Sequence, residues 1–126
     1  MDILAHDPGG KRLMLGNEAI ARGALEGGVE VATTYPGTPA SEIGDTLASL
    51  LDDWPIYFEY AINEKVALEV AAGASLSGMR ALCSMKHVGL NVASDVLASI
   101  PYSGVVGGLV VVTADPTAVS STTLIS

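Results

Sequence analysis

Apolar and polar residues along the chain change repeatedly between a helical and a strand-like spacing. The segment GNEAIARGALEGG carries apolar residues on one side of a helix, with Asn17 as the expected N-cap and Gly27-Gly28 as the stop. The next segment, VEVATTY, alternates and is rich in β-branched residues, which is typical of a strand. A helix followed by a strand is therefore predicted near the start of the chain.

The same alternation continues to the end of the pattern. After the turn PGTP, the segment ASEIGDTLASLLDD predicts a helix that begins at Thr38-Pro39, and WPIYFEYAI predicts the second strand. A helix from Glu64 to about Gly78 precedes the strand RALCSMK, and the helix NVASDVLASI precedes VVGGLVVVTAD, a continuous apolar strand of the kind buried on both faces. This order predicts an α/β fold in which a mostly parallel sheet is flanked by helices on both faces.

The pattern also sets the expected domain boundaries. Residues 1–12 are expected to be an N-terminal tail, residues 13–115 one domain, and residues 116–126 an irregular C-terminal segment. The 126 residues are enough for a single core. Because the pattern stops abruptly, we expect the sequence to be part of a longer protein.

Composition narrows the class of function. The net charge of −8 disfavours nucleic acid and anionic membrane as partners, because both are polyanionic. A single cysteine, Cys83, allows neither an internal disulfide nor a four-cysteine metal cluster. The N-terminus lacks the pattern of a signal peptide, and no apolar run reaches the length of a membrane helix, so a soluble cytoplasmic protein is expected.

Ligands of parallel α/β sheets bind beyond the carboxyl ends of the strands, which directs attention to three junctions. In the first, TTYPGTPASE, Pro36 stiffens the turn and Gly37 allows a close approach of backbone or ligand. Thr38 can either cap the following helix or present its hydroxyl group to a bound anion. Both interpretations stay open on local grounds.

The second junction, YAINEKVALE, places Glu64 in the first turn of a helix, with Asn63 as its N-cap. A carboxylate there suits the helix dipole, which is a purely structural explanation. The helix is closely packed from its start, however, so a partly desolvated Glu64 could share a proton with a ligand nitrogen. Glu59 is explained by an exposed strand face, and Glu69 lies on another side of the helix.

The third junction, SMKHVGLNVA, offers Lys86, His87, Gly89 and Asn91. His87 can carry a proton or donate a hydrogen bond to a substrate, or it can be an ordinary loop residue. No residue spacing typical of a metal site accompanies it, so no metal ligand is predicted. The fingerprints GxGxxG, GxxxxGK[ST] and GxSxG are absent from the sequence, which removes the usual nucleotide-binding and hydrolase explanations.

The three junctions, with the segments GNEAIARGALE, YPGTP, NEKVALE and MKHVGLN in this order, resemble the pyrimidine-binding domain of 2-oxoacid:ferredoxin oxidoreductases. The likeness is to the alpha subunit of the indolepyruvate enzymes and covers roughly residues 13–115. It implies thiamine diphosphate as the cofactor, with Glu64 on the ring nitrogen of the aminopyrimidine, which it drives toward the imino tautomer. It also implies a catalytic role for His87 beside the substrate.

The resemblance further implies a set of residues around the cofactor, which are Pro36, Gly37, Thr38, Gly89 and Asn91. The implied reaction is the oxidative decarboxylation of indolepyruvate or another aryl-pyruvate to an acyl-CoA, with electrons passed to ferredoxin. Mg²⁺ and the diphosphate would be bound by a separate domain or subunit, because no GDG motif is present here. The 4Fe-4S clusters and the coenzyme A site would also lie outside this segment.

Two alternatives remain from the sequence. A two-subunit thiamine-diphosphate decarboxylase, such as one acting on sulfopyruvate, also pairs a small pyrimidine domain with a separate diphosphate domain. A non-catalytic assembly domain is the other alternative. The resemblance implies a large apolar interface, and hence a homo- or hetero-oligomer, because domains of this kind bury their cofactor between subunits. The low charge density of residues 64–113 is compatible with such an interface.

Overall fold

The computed structural model describes residues 3–115, in which helices and strands alternate as the sequence predicts. The helices of this range are α1 (Gly16–Glu26), α2 (Ser41–Ser49), α3 (Glu64–Leu76), α4 (Gly89–Val92) and α5 (Ser94–Ser103). The strands are β1 (Val31–Thr34), β2 (Tyr57–Tyr60), β3 (Ala81–Lys86) and β4 (Leu109–Ala114). The irregular segment predicted for residues 116–126 lies outside the described residues.

The four strands form one parallel sheet in the order β2-β1-β3-β4. Val31 of β1 is in register with Tyr57 on one side and with Ala81 on the other. Lys86, the last residue of β3, is in register with Ala114, the last residue of β4. All four strands therefore end at the same edge of the sheet, and the loops that follow them are neighbours.

Helices cover both faces of this sheet, which confirms the predicted fold class. On one face α3 packs on β1 and β3, and the Thr33 hydroxyl donates a hydrogen bond to the Ala67 carbonyl of α3 at 2.7 Å. On the other face α1 and α2 pack around Ala32 and Leu82. Because β1 is central and covered on both sides, all of its residues are buried rather than alternating between core and solvent.

Two helix starts, one strand and one further helix differ from the predictions. The helix predicted for NVASDVLASI is divided into α4 and α5, because the backbone at Ala93 leaves the helical conformation. The N-cap of α1 is Leu15 rather than Asn17, and α2 begins at Ser41 rather than at Thr38-Pro39. The delay of α2 has a local cause, because the Ala40 N–H donates to the Gly37 carbonyl at 2.7 Å and closes a turn before the helix. Strand β4 lies at the edge of the described sheet and is only partly buried, so burial on both faces was wrong for it.

The helix α3 is predicted to be the main contributor of core packing. Its Leu68 side chain is fully buried, so Leu68→Ala should lower the free energy of unfolding by about 2–5 kcal/mol. Urea unfolding followed by circular dichroism measures this loss. Leu13→Ala is the matched control, because Leu13 is 86% exposed and should change stability by less than about 0.5 kcal/mol. Equal effects of the two variants would contradict the assigned core.

Candidate functional site

The carboxyl edge of the sheet joins the three junctions by backbone hydrogen bonds. Tyr35 N–H donates to the Ser84 carbonyl at 3.3 Å, which holds the loop after β1 beside the end of β3. Ala61 N–H donates to the Thr34 carbonyl at 2.9 Å, and His87 N–H donates to the Ala114 carbonyl at 3.0 Å. The loops after β1, β2 and β3 and the end of β4 therefore form one continuous surface.

Glu64 is the first residue of α3 and lies on this surface. Asn63 caps the helix as predicted, because its side-chain oxygen accepts a hydrogen bond from the Val66 N–H at 2.9 Å. Glu64 is half-buried, and within residues 3–115 its carboxylate makes no hydrogen bond or ion pair. The helix start thus holds a carboxylate that is partly removed from water and has no protein partner in the described part of the chain.

Gly89 lies directly against this carboxylate. A Cβ atom at position 89 would lie 2.5 Å from Cγ of Glu64 and 2.9 Å from its Oε1. Both distances are too short for non-bonded atoms, so only glycine fits there without a movement of Glu64. The structure therefore brings together the second and third junctions, which the sequence could only identify separately.

The turn after β1 is fixed by contacts that the sequence did not reveal. The side-chain amide of Asn17 donates to the Pro39 carbonyl at 2.6 Å and to the Glu42 carboxylate at 2.9 Å. The Gly37 N–H donates to the hydroxyl oxygen of Ser41 at 3.0 Å. Asn17 is thus a tether between α1 and this turn, and not the helix cap that the local pattern indicated.

His87 lies beside Asp115, a residue that the sequence reasoning missed. The distance between His87 Nδ1 and Asp115 Oδ1 is 3.9 Å, and the two side chains are 33% and 37% exposed. The Nδ1 atom is itself buried and has no hydrogen-bond partner among the described residues. The signal that could have identified Asp115 is its place as an acidic residue directly after β4. It follows Ala114, which is in register with Lys86.

The other predicted site residues lie on the same edge with fewer contacts. The side chains of Pro36, Thr38 and Asn91 are exposed, and those of Thr38 and Asn91 make no hydrogen bond within the described residues. Glu59 accepts a hydrogen bond from the Tyr57 hydroxyl at 2.8 Å, which explains it structurally and raises the pKa of Tyr57. Glu69 is exposed, so Glu64 is the half-buried carboxylate without a hydrogen bond among the three that we considered.

Two cavities of the described residues lie away from this edge. The larger, of about 640 Å³, is lined by the N-terminal segment together with Arg22, Glu26 and Trp54. Another, of about 320 Å³, is lined by α1 and by the starts of β3 and β4. Neither of these two cavities includes a predicted site residue.

Comparison with known proteins relates this geometry to a family. The profile of the family described as pyruvate flavodoxin/ferredoxin oxidoreductase, thiamine diphosphate-binding, matches residues 22–105. The chain belongs to this family. The match includes the turn at 36–39, Glu64, His87, Gly89 and Asn91.

Several relatives are similar over most of the chain. The indolepyruvate oxidoreductase subunit IorA of Methanothermobacter marburgensis is 58% identical over 114 residues, which are 90% of this chain and 18% of the relative. IorA of Archaeoglobus fulgidus is 56% identical over 118 residues, which are 90% of this chain and 19% of the relative. The chain therefore spans less than a fifth of the length of these curated relatives.

A solved structure has the same fold. It is the 2-oxoglutarate:ferredoxin oxidoreductase from Magnetococcus marinus, with 2-oxoglutarate, coenzyme A and succinyl-CoA bound. Its similarity has a TM-score of 0.75 at 28% sequence identity and covers 81% of this chain and 18% of that one. The fold and family predicted from the sequence are confirmed by these comparisons.

The residues present fit the aminopyrimidine end of thiamine diphosphate. A ring nitrogen needs a carboxyl group without a competing partner, and Glu64 offers one that is packed against the backbone of Gly89. The diphosphate end is different, because it requires a metal site. Within residues 3–115, no group of three or more His, Cys, Asp or Glu side chains is placed to hold a metal ion.

No helix of this range is long and apolar enough to cross a bilayer.

The contact between Gly89 and Glu64 makes a sharp prediction. In Gly89→Ala, the added methyl group should turn the Glu64 carboxylate away, because the Glu64 side chain can rotate whereas the backbone around position 89 is buried. A crystal structure of the variant measures the movement. Gly73→Ala in α3 is the control, because a Cβ there meets nothing within 4 Å. An unmoved Glu64 in Gly89→Ala would contradict the described packing.

A nucleophilic role for Cys83 is excluded by its environment. The thiol is fully buried in β3, and burial raises its pKa to about 11, so almost none of it is the reactive thiolate at pH 8. Iodoacetamide at pH 8 should therefore label Cys83 in urea but not in the native chain, as measured by mass spectrometry. Rapid labelling of the folded chain would show that the strand is more open than described.

Proposed function

We propose that this chain is the pyrimidine-binding part of a thiamine-diphosphate-dependent 2-oxoacid:ferredoxin oxidoreductase that acts on indolepyruvate or a related aryl-pyruvate. The proposed reaction is oxidative decarboxylation of the 2-oxo acid to its acyl-CoA, with two electrons passed to ferredoxin. The family and the identity of 56–58% to IorA subunits support this proposal. Because the chain spans only a small part of those relatives, the remaining parts of the active site are assigned to other regions.

The observation that carries the proposal is the carboxylate of Glu64. It is held at the start of α3, has no partner within residues 3–115, and faces a glycine that leaves its side chain in place. When bound, thiamine diphosphate supplies the carbon nucleophile that attacks the keto group of the substrate. The role of Glu64 is to share a proton with the ring nitrogen of the aminopyrimidine, which makes the exocyclic amino group a better base.

The other site residues receive supporting roles in this proposal. Pro36, Gly37 and Thr38 form the rigid turn beside the cofactor, with the Thr38 hydroxyl available to the cofactor or to the 2-oxo acid. Gly89 leaves room for the Glu64 side chain and is proposed to lie beside the cofactor, and Asn91 is proposed to contact the cofactor from α4. His87 is proposed as a catalytic residue that donates or accepts a proton at the substrate. Its support is its place beside Asp115 at the edge of the sheet.

The remaining components follow from the incomplete site. A diphosphate-binding domain or subunit is proposed to hold Mg²⁺ and to cover the exposed edge around Glu64. The 4Fe-4S clusters, the coenzyme A site and the ferredoxin-binding surface are assigned to the regions of the enzyme beyond this chain. The proposed assembly is a cytoplasmic oligomer. Exposed apolar residues on either side of Glu64, which are Ile62, Val88 and Val92, support a covering partner at this surface.

The decisive substitution is Glu64→Gln in the complete enzyme. It removes the shared proton but keeps the size of the side chain, so turnover should fall by about 100- to 10,000-fold with the fold intact. Ferredoxin reduction driven by the 2-oxo acid measures turnover, and circular dichroism measures folding. Glu69→Gln, on an exposed side of the same helix, is the matched control and should keep nearly full activity. Near-normal turnover of Glu64→Gln would show that the assignment is wrong.

A further inference from the structure

Lys86 occupies a position at the site edge that the proposed mechanism has not used. It is the last residue of β3, and the next residue is His87. Its side chain is half-buried and runs past Gly37 of the turn after β1. A Cβ atom added to Gly37 would lie 2.9 Å from Cβ of Lys86, with Cδ and Cγ of Lys86 within 3.8 Å. Because Gly37 has no side chain, the aliphatic part of the Lys86 side chain can pack against the turn at this position.

The ammonium group of Lys86 is unpaired within the described residues. No carboxylate of residues 3–115 lies within 4.0 Å of it, and it donates no hydrogen bond there. This is unusual in a chain with 14 acidic and only 6 basic residues. The basic side chains that do have carboxylate partners in this range are Arg12 with Asp7, Arg22 with Glu26, and Lys65 with Asp95.

The two other basic residues are explained without a ligand. Arg80 donates a hydrogen bond to the Gly27 carbonyl at 2.6 Å, at the opposite end of β3. Lys11 lies exposed in the N-terminal segment, far along the chain from the junctions. Lys86 is thus the one cation that the described residues place, without a protein partner, at the edge that carries Glu64 and His87. A partly desolvated ammonium group gains free energy when an anion binds to it.

We infer that Lys86 binds the carboxylate of the 2-oxo acid substrate. This inference rests on the proposed function, from which it takes the class of substrate. A 2-oxo acid is an anion at neutral pH, and a cation at this edge offsets the repulsion that a chain with a net charge of −8 exerts on it. Thr38 follows Gly37 directly, so the Thr38 hydroxyl belongs to the same corner and can add a hydrogen bond to the anion. Lys86 is a substrate-binding residue in this scheme and takes no part in proton transfer.

The test uses three variants of the complete enzyme. Lys86→Met removes the charge and should raise the KM for the 2-oxo acid by about 10- to 100-fold, with a much smaller change in kcat. Lys86→Arg keeps the charge and should recover most of the affinity. Lys11→Met removes a charge in the exposed N-terminal segment and should leave KM unchanged. Lys86→Gln serves the same purpose as Lys86→Met if the latter does not fold.

A second readout isolates the carboxylate of the ligand. Indole-3-propionate and its neutral amide serve as competitive inhibitors. The unmodified enzyme should bind the acid at least about 10-fold more tightly than the amide, because only the acid forms a charge-assisted contact. Lys86→Met should bind the two compounds with nearly equal affinity. A merely structural role of Lys86 would weaken both inhibitors alike and would overturn the inference.

The outcomes separate this inference from the proposed function. If Lys86→Met keeps both its KM and its preference for the acid, while Glu64→Gln is inactive, Lys86 is not the anchor and the proposed function stands. If Lys86→Met instead loses affinity for thiamine diphosphate, Lys86 belongs to the cofactor site and the inference is wrong. If the unmodified complete enzyme shows no thiamine-dependent turnover of any 2-oxo acid, the proposed function fails, and the inference fails with it.

Discussion

The close contact between the starts of α3 and α4 is the constraint on which the candidate site depends. Helix α3 follows β2 and packs on β1 and β3, while α4 follows β3 and begins at Gly89. Parallel pairing brings these two starts to one edge, and the missing side chain at position 89 lets the Glu64 side chain lie against the backbone. If either the parallel pairing or the glycine at position 89 were lost, the Glu64 carboxylate would point into open solvent and could not be directed at a ligand.

The sequence predicts the order of elements and the three junctions because both depend on local patterns. Apolar spacing identified the helices, and the loops after the strands could be read directly from their Gly, Pro and polar residues. Asn17 was misinterpreted because its partners, Pro39 and Glu42, are 22 and 25 residues away and lie on another helix or its turn. The partial exposure of β4 also depends on the strand order, which places it at an edge. Neither feature has a local signal.

For the same reason, only part of the candidate site could be predicted from the sequence. Glu64 stands out locally, since it opens a largely apolar helix, but its contact with Gly89 spans 25 residues. Asp115 was not selected and Lys86 was named without a role, because an acidic residue after a strand and a lysine at the end of one are common at protein surfaces. Their significance comes from register and from the partners they have or lack. Pairing in the sheet, and not the spacing in the chain, brings Asp115 beside His87.

In the proposed function, this chain contributes one part of an active site: a carboxylate that shares a proton, a glycine that makes room for it, and a cation for the substrate. The proposal depends above all on binding of the aminopyrimidine by Glu64. The most direct measurement is a crystal structure of the complete enzyme with thiamine diphosphate bound. The account predicts a Glu64 carboxylate oxygen about 2.6–3.0 Å from the pyrimidine ring nitrogen, beside Gly89. A ring nitrogen held by a different group, with the Glu64 side chain pointing into solvent, would contradict it.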